Sequence, residues 1–159
     1  LGFERRPLFA PYQFKIMAKP QFCPCRVRER PSRLYSVCCG VWHQNFLRGG
    51  EGAPSPELLM RSRYSAFALA TKDDLKSRNL LRYLEATWHP DHRPKSIGLT
   101  ECQFVGREIL EAPLPTEQSG SVAYALFIQQ GPRIVRTDYH DQFEWHDERW
   151  VYLQGEIVK

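Results

Sequence analysis

Four of the five cysteines fall in one short stretch, Cys23-Pro24-Cys25 followed by Cys38-Cys39-Gly40. No other feature restricts the fold as strongly. Thiolates are soft ligands, and four of them gathered together satisfy the tetrahedral preference of zinc. The 12 residues from Arg26 to Val37 join the two pairs, enough chain to fold back so that all four sulfurs share one ion. The expected centre is therefore Cys23, Cys25, Cys38 and Cys39. An odd cysteine count argues against a disulfide framework, and reduced thiols in a cytoplasmic protein suit metal binding better. Sites built from four thiolates are closed to water, which points to a structural ion and away from catalysis at the metal. His43 is near enough to replace one cysteine, although a single histidine reads more simply as a surface residue. The lone Cys102 lies in an apparent strand and reads as a small buried hydrophobe.

The net charge of +4 conceals an asymmetry. Residues 1–50 carry nine Lys/Arg and two Asp/Glu, a balance of +7, whereas residues 51–159 carry thirteen and sixteen, a balance of −3. Four thiolates on one divalent ion would leave −2, and Arg26, Arg28, Arg30 and Arg33 would offset it. The sharper alternative is a docking surface for an acidic protein, nucleic acid or anionic lipid. Apolar runs are too short to cross a bilayer, and no secretory signal pattern is present near Leu1. Met17 is the first methionine, so residues 1–16 read as upstream sequence, and residues 1–22 as a poorly ordered extension.

Gly49 to Pro56 punctuates the chain and separates the cysteine module, residues 23–48, from a domain over residues 55–159. Ser55 and Pro56 predict a helix start, as N-cap and first helical residue. Leu58, Leu59, Met60, Tyr64, Phe67 and Ala68 then mark one face of a helix over Glu57 to Ala70. Thr71 is the expected cap of a second helix, with an apolar stripe of Leu75, Leu80, Leu81, Leu84 and Trp88. Pro90 and Pro94 end helical structure. Strands are expected over Leu99–Leu110, Val122–Gln129, Ile134–Trp145 and Trp150–Ile157, with turns at Gly131-Pro132 and His146-Asp147-Glu148. Helices followed by consecutive antiparallel strands predict an α+β fold, its helices packed on one face of a curved sheet.

Cys23-Pro24-Cys25 with Cys38-Cys39-Gly40 resembles the SEC-C zinc motif. The blocks Leu59-Met60-Arg61-Ser62-Arg63-Tyr64-Ser65-Ala66-Phe67, Thr87-Trp88-His89-Pro90 and Arg149-Trp150-Val151-Tyr152-Leu153-Gln154-Gly155 resemble the YchJ family of uncharacterised proteins. The resemblance covers roughly Cys23 to Glu156. It implies an N-terminal zinc knuckle coupled to an NTF2-like cone, and a biochemical role that is unestablished. SEC-C motifs occur on proteins of secretion and translation, where they contact partner proteins, and NTF2-like sheets often pair, which makes a homodimer conceivable. The usual Gly-Ser-Gly after the second cysteine is missing, the loop to Cys38 is longer, and no second C-terminal zinc motif is present.

A cone of this kind can enclose a pocket, with Arg63, Tyr64, Trp88, His89, Trp150 and Tyr152 as the expected lining. Tyr64 and Trp88 also read as ordinary core, and Arg61 or Arg63 as partners of an internal acid. The carboxylates Asp138, Asp141, Glu144, Asp147 and Glu148 read as solvated strand faces that discourage edge-to-edge aggregation. The expected function is a non-enzymatic zinc-binding accessory protein: its cysteine knuckle docks a protein partner, and its conical domain is a scaffold or small pocket. The alternative is a small-molecule-binding or lyase/isomerase-type enzyme with His89 as acid–base. Nucleic-acid binding through the basic N-terminal region is a third reading. Loss of Cys38 and Cys39 is expected to abolish zinc binding and leave Ser55–Glu156 folded.

Overall fold

Helix α2 (Pro56–Leu69) organises the fold. Ser55 caps it as expected, its side chain accepting the Leu58 N–H at 3.2 Å, and Pro56 occupies the first turn. Leu59 through Ala66 is buried without interruption, although four of those eight residues are Arg or Ser. A helix buried on every side needs neighbours all round, and here they are a sheet, a second helix and the cysteine module. The structure is a computed structural model that describes residues 21–158. Most of the extension expected over residues 1–22, positions 1–20, lies outside the described residues.

The cysteine module contains two 3-10 turns, Pro24–Arg26 and Tyr35–Val37, and helix α1 (Cys39–Leu47). A short antiparallel bridge between Phe22 and Leu34 closes the loop between the turns. Helix α3 (Leu75–Ala86) follows α2. Its cap is Asp74, which accepts the Ser77 N–H at 2.8 Å, and not Thr71. Asp74 sits immediately before the first helical residue, where a carboxylate also meets the positive end of the helix. The buried face of α3 runs through Ser77, Leu80, Tyr83 and Leu84, while Leu75 is 66% exposed and outside the expected stripe.

Four antiparallel strands follow in the order β1 (Gln103–Glu111), β2 (Ser119–Gln130), β3 (Arg133–His146) and β4 (Arg149–Ile157). They match the four expected runs, although the first begins at Gln103 instead of Leu99. Cys102 precedes the strand and is exposed, contrary to the buried position expected of it. The β2–β3 turn has Gly131 at φ 56°, and the β3–β4 turn places Asp147 and Glu148 at φ 49° and 64°. Two successive left-handed residues form the turn whose twist suits a hairpin. Val122, Tyr124, Leu126 and Ile128 alternate onto the face that packs beneath α2. Past α3, Thr87 and His89 hydrogen-bond to Tyr152 on β4, so that Trp88 lies alongside the sheet edge.

Candidate metal centre and adjoining chamber

The turn at Pro24 holds Cys23 and Cys25 on one side of the module, and the start of α1 presents Cys38 and Cys39 on the other. Cys25 Sγ lies 3.5 Å from Cys23 Sγ and 3.5 Å from Cys38 Sγ. All four sulfurs lie within 4.8 Å of one another. A tetrahedral ion about 2.3 Å from each thiolate would separate the sulfurs by about 3.8 Å, so the donor set fits a closed site. Cys23, Cys25 and Cys39 are at most 1% exposed and Cys38 is 8% exposed. The cluster is able to bind a metal ion.

The protein electrostatics suit thiolates. Cys38 is the N-cap of α1 and Cys39 its first residue, at the positive end of the helix. Ser65 Oγ lies 3.4 Å from Cys23 Sγ, and Arg61 Nη1 lies 4.0 Å from Cys25 Sγ. Hydrogen bonding from Cys25 lowers the Cys23 thiol to about 6, while contact with Cys23 pushes the Cys25 and Cys39 thiols up and the Cys38 thiol down. The four therefore exchange protons as a single group. Of the four arginines expected to offset the thiolates, Arg26 lies by Cys38. Arg28 instead covers the Phe127 ring at 3.7 Å, and Arg33 donates to the Val37 carbonyl. Arg61, from α2, takes up the task.

His43 is neither ligand nor surface residue. It is 4% exposed, with Nε2 donating to the Ser62 carbonyl at 2.8 Å. A carbonyl can only accept, so Nδ1 carries the lone pair and accepts the Tyr35 hydroxyl at 2.6 Å. Burial lowers its pKa to about 4.

Glu29 ties the module to the sheet. Its carboxylate pairs with Arg61 at 2.8 Å and with Arg107 at 3.0 Å, and accepts the Ile109 N–H at 3.2 Å. Burial opposes its charge, but Arg107 and Arg61 together hold its pKa below the ordinary value. Arg107, fully buried, also donates to the Cys25 carbonyl. Cys23, Cys25, Cys38 and Cys39 share one hydrophobic cluster with Tyr64 and Leu126.

Beneath α2 a chamber of about 300 Å³ opens beside this cluster. Four of the six expected residues line it: Arg63 and Tyr64 from α2, Trp88 from the segment after α3, and Tyr152 from β4. The sheet adds Tyr124, Tyr139 and Asp141, together with Phe104, Leu126 and Phe143. Trp150 falls outside the lining because it packs with Leu59, Met60 and Phe143 in the core. His89 also falls outside. Trp88 joins the lining beside Tyr152, and in extended backbone the next side chain points to the opposite side. His89 Nε2 lies 3.1 Å from Glu144, and its Nδ1 accepts the Asp91 N–H at 3.1 Å. His146 completes a group of three with them. With Nδ1 accepting a backbone proton, Nε2 is the ring nitrogen that faces Glu144, on the side away from the chamber.

Asp141 and Tyr139 are the polar lining residues that differ most from expectation. Asp141, expected on a solvated strand face, is 6% exposed and accepts the Tyr124 hydroxyl at 2.9 Å. Burial raises its pKa to about 6. The alternation that places Val122 and Tyr124 inward also selects Asp141, which pairs directly with Val122 across β2 and β3. Tyr139, opposite Tyr124, stacks on it with ring centroids 5.7 Å apart.

A family model described as "YchJ, middle NTF2-like domain" matches residues 55–155. A UPF0225 protein of Bordetella parapertussis is 34% identical over 147 residues, covering 90% of this chain and 98% of that protein. A UPF0225 protein of Deinococcus radiodurans is 34% identical over 139 residues, covering 86% and 91%. The solution structure of a SEC-C motif containing protein from Rhodopseudomonas palustris superposes with a TM-score of 0.64 at 26% identity, covering 80% of this chain and 94% of that one. A crystal structure of a SEC-C motif containing protein from Psychrobacter arcticus gives 0.67 at 20% identity, a likeness of fold, covering 87% and 84%. With the cysteine cluster, the helix-on-sheet architecture and these matches together, the chain belongs to the YchJ family, also described as UPF0225.

Proposed function

We propose that this is a zinc-binding accessory protein. In this reading Cys23, Cys25, Cys38 and Cys39 hold a structural zinc ion that fixes the basic N-terminal module against an NTF2-like domain whose interior is a small-ligand chamber. The observation that carries the reading is the convergence of four almost fully buried sulfurs within 4.8 Å of one another. Four sulfur donors select zinc over hard cations, and a closed set gives the ion a folding role. The ion supplies cross-linking and charge neutralisation, and the chain's own part is to orient the thiolates through α1, Arg61 and Ser65.

The loop 26–37 supports the docking part of the reading. Val27 and Val37 are more than half exposed, and Arg30 and Arg33 stand beside them in solvent. A basic surface studded with apolar side chains suits an acidic protein partner in a reducing, cytoplasmic setting. Acid–base chemistry at His89 within the chamber draws no support from the geometry, since His89 is outside the chamber lining and its ring pairs with Glu144 and the Asp91 N–H instead.

Elemental analysis of the full chain tests the metal assignment. One zinc per chain is expected, and none in the Cys38→Ser/Cys39→Ser double variant. Retention of stoichiometric zinc by that variant refutes the ligand set.

A further inference from the structure

The most unusual group outside the metal centre is the Arg63 guanidinium. It is 5% exposed, yet no carboxylate pairs with it among the described residues. Its recorded hydrogen bonds both leave from Nη1, to the Leu84 carbonyl at 2.7 Å and to Thr87 Oγ1 at 2.6 Å. Thr87 Oγ1 itself donates to the Tyr83 carbonyl, so it can only accept from Arg63. The flat faces of the guanidinium are held by rings, with Trp88 4.9 Å and Tyr152 4.7 Å from its central carbon. No hydrogen bond from Nε or Nη2 is seen among the described residues, and the guanidinium lies in the wall of the chamber. A second donor is stranded in the same wall: Trp88 Nε1 is buried and has no hydrogen-bond partner.

Burying a cation without an anionic partner, or an N–H without an acceptor, costs free energy, and chains seldom retain such groups where nothing uses them. Here a guanidinium with no carboxylate partner among the described residues and the buried, unpartnered Trp88 Nε1–H belong to the wall of a cavity whose remaining lining is largely aromatic. The single carboxyl group in the lining, Asp141, is bonded to Tyr124 and lies on the sheet wall, beyond salt-bridge reach of Arg63. Its Oδ1 rests over Gly155, where an added Cβ would collide with it. The missing side chain thus leaves room for this carboxyl group.

We propose that the chamber binds a small planar carboxylate with an aromatic or conjugated body, Arg63 and Trp88 Nε1 receiving the carboxylate and the stacked tyrosines receiving the ring. The carboxylate supplies the counter-ion that the buried guanidinium lacks and an acceptor for the Trp88 N–H, and a guanidinium binds it through paired hydrogen bonds. The ring suits walls formed by Tyr64, Tyr124 and Tyr139, which favour offset and edge contacts. A volume of about 300 Å³ is at the small end of ligand cavities, enough for one or two fused rings and too small for a nucleotide. The inference rests on the chamber being a ligand site, and it adds the charge and shape of the ligand.

The test uses the zinc-loaded full chain and matched probes: benzoate, cinnamate and 2-naphthoate, each beside its neutral amide. Binding is followed by titration with ¹⁵N spectra, in which the Trp88 Nε1–H and Arg63 Nε–H signals report on the two donors. At least one carboxylate is expected to bind about tenfold or more tightly than its amide, the margin of a charge-assisted bond, and to move both signals. Arg63→Gln is expected to abolish that preference and Arg63→Lys to restore part of it. If Arg63→Gln fails to fold, Trp88→Phe, which keeps the ring and removes the donor, carries the test through a several-fold loss for the carboxylate alone. Amides binding as tightly as the acids overturn the anion assignment and leave the chamber reading standing. Absence of any shift at chamber residues with all six probes overturns both.

Discussion

At Asp141 the chain places a carboxyl group where ionisation is costly. Burial raises its pKa to about 6, against the partial relief of the Tyr124 hydroxyl, Arg63 and His140. The folded value lies above the unfolded one, near 3.9, so between about pH 4 and 6 the native state binds more protons than the unfolded chain. Stability from this group therefore falls as pH rises through that window, and the full cost, on the order of 2 kcal/mol, is present above it. Asp141→Asn keeps an acceptor for Tyr124 and removes the charge. Urea titrations are expected to find the variant more stable than wild type by about 2 kcal/mol at pH 7.5 and equal to it near pH 4. His43 acts with the opposite sign. Its pKa is lowered to about 4 from an ordinary 6.5, so its contribution is complete above 6.5 and is lost on acidification toward 4. The two slopes oppose each other in wild type, and Asp141→Asn should expose the loss due to His43 as a steeper decline below pH 6.5. A uniform gain at all pH values would mean that Asp141 is destabilising through packing instead of charge.

The elements show a parallel contest in the first turn of α1, where Gly40 follows the last cysteine. A Cβ there would stand 2.6 Å from the Tyr35 carbonyl oxygen and 3.2 Å from its ring. That carbonyl accepts the Cys38 N–H, so moving it also moves a ligand. Alanine is the better helix former by roughly 1 kcal/mol, but a collision with backbone has no side-chain rotamer to relieve it and costs roughly 1–3 kcal/mol. The clash should win. Gly40→Ala is expected to lower stability by about 1 kcal/mol and to weaken metal affinity about tenfold, read by denaturation and by competition with a chromogenic chelator. A variant as stable as wild type would show that the 3-10 turn over Tyr35–Val37 yields freely. The sequence made α2 and all four strands legible because caps, turn residues and alternation act locally. Helix α1 was not anticipated, since its nine residues carry little apolar periodicity and its start is defined by the cysteines that were read as ligands. The cysteine set was legible from spacing. The pairing of Arg61 with an internal acid was legible too, but neither the acid, Glu29, nor Arg107 was, because their pairing joins residues up to 78 positions apart.

Across the whole molecule, the Arg61–Ser65 segment of α2 connects every part of the fold. Arg61 meets Glu29 and the cysteine module, and Ser62 meets Tyr83 on α3 at 2.5 Å. Arg63 enters the chamber, Tyr64 joins the chamber wall to the cysteine cluster, and Ser65 touches the Cys23 sulfur. The packing thus places the four-cysteine cluster inside the core that it shares with the sheet. With the proposed zinc in place, its removal would leave mutually repelling thiolates beside Tyr64 and Leu126, and would loosen the Cys25 carbonyl that receives Arg107. Structural zinc sites contribute a large part of the folding energy of small domains. If only several kcal/mol reach this one, the unfolding midpoint should drop by about 10 °C or more in a chain of this size. The sequence alone led us to expect that residues 55–156 would stay folded without Cys38 and Cys39. The shared core predicts a shift of that domain instead, in one cooperative transition. Thermal unfolding followed by tryptophan fluorescence in a Trp42→Phe background tests this, because the other three tryptophans, Trp88, Trp145 and Trp150, lie beyond Ser55 and report on the sheet and chamber. A midpoint unmoved by a strong chelator, with zinc release verified, would make the module an independent appendage. A common shift of fluorescence and metal release would make the cysteines and the chamber one folding unit, so that metal supply would also govern the shape of the ligand site.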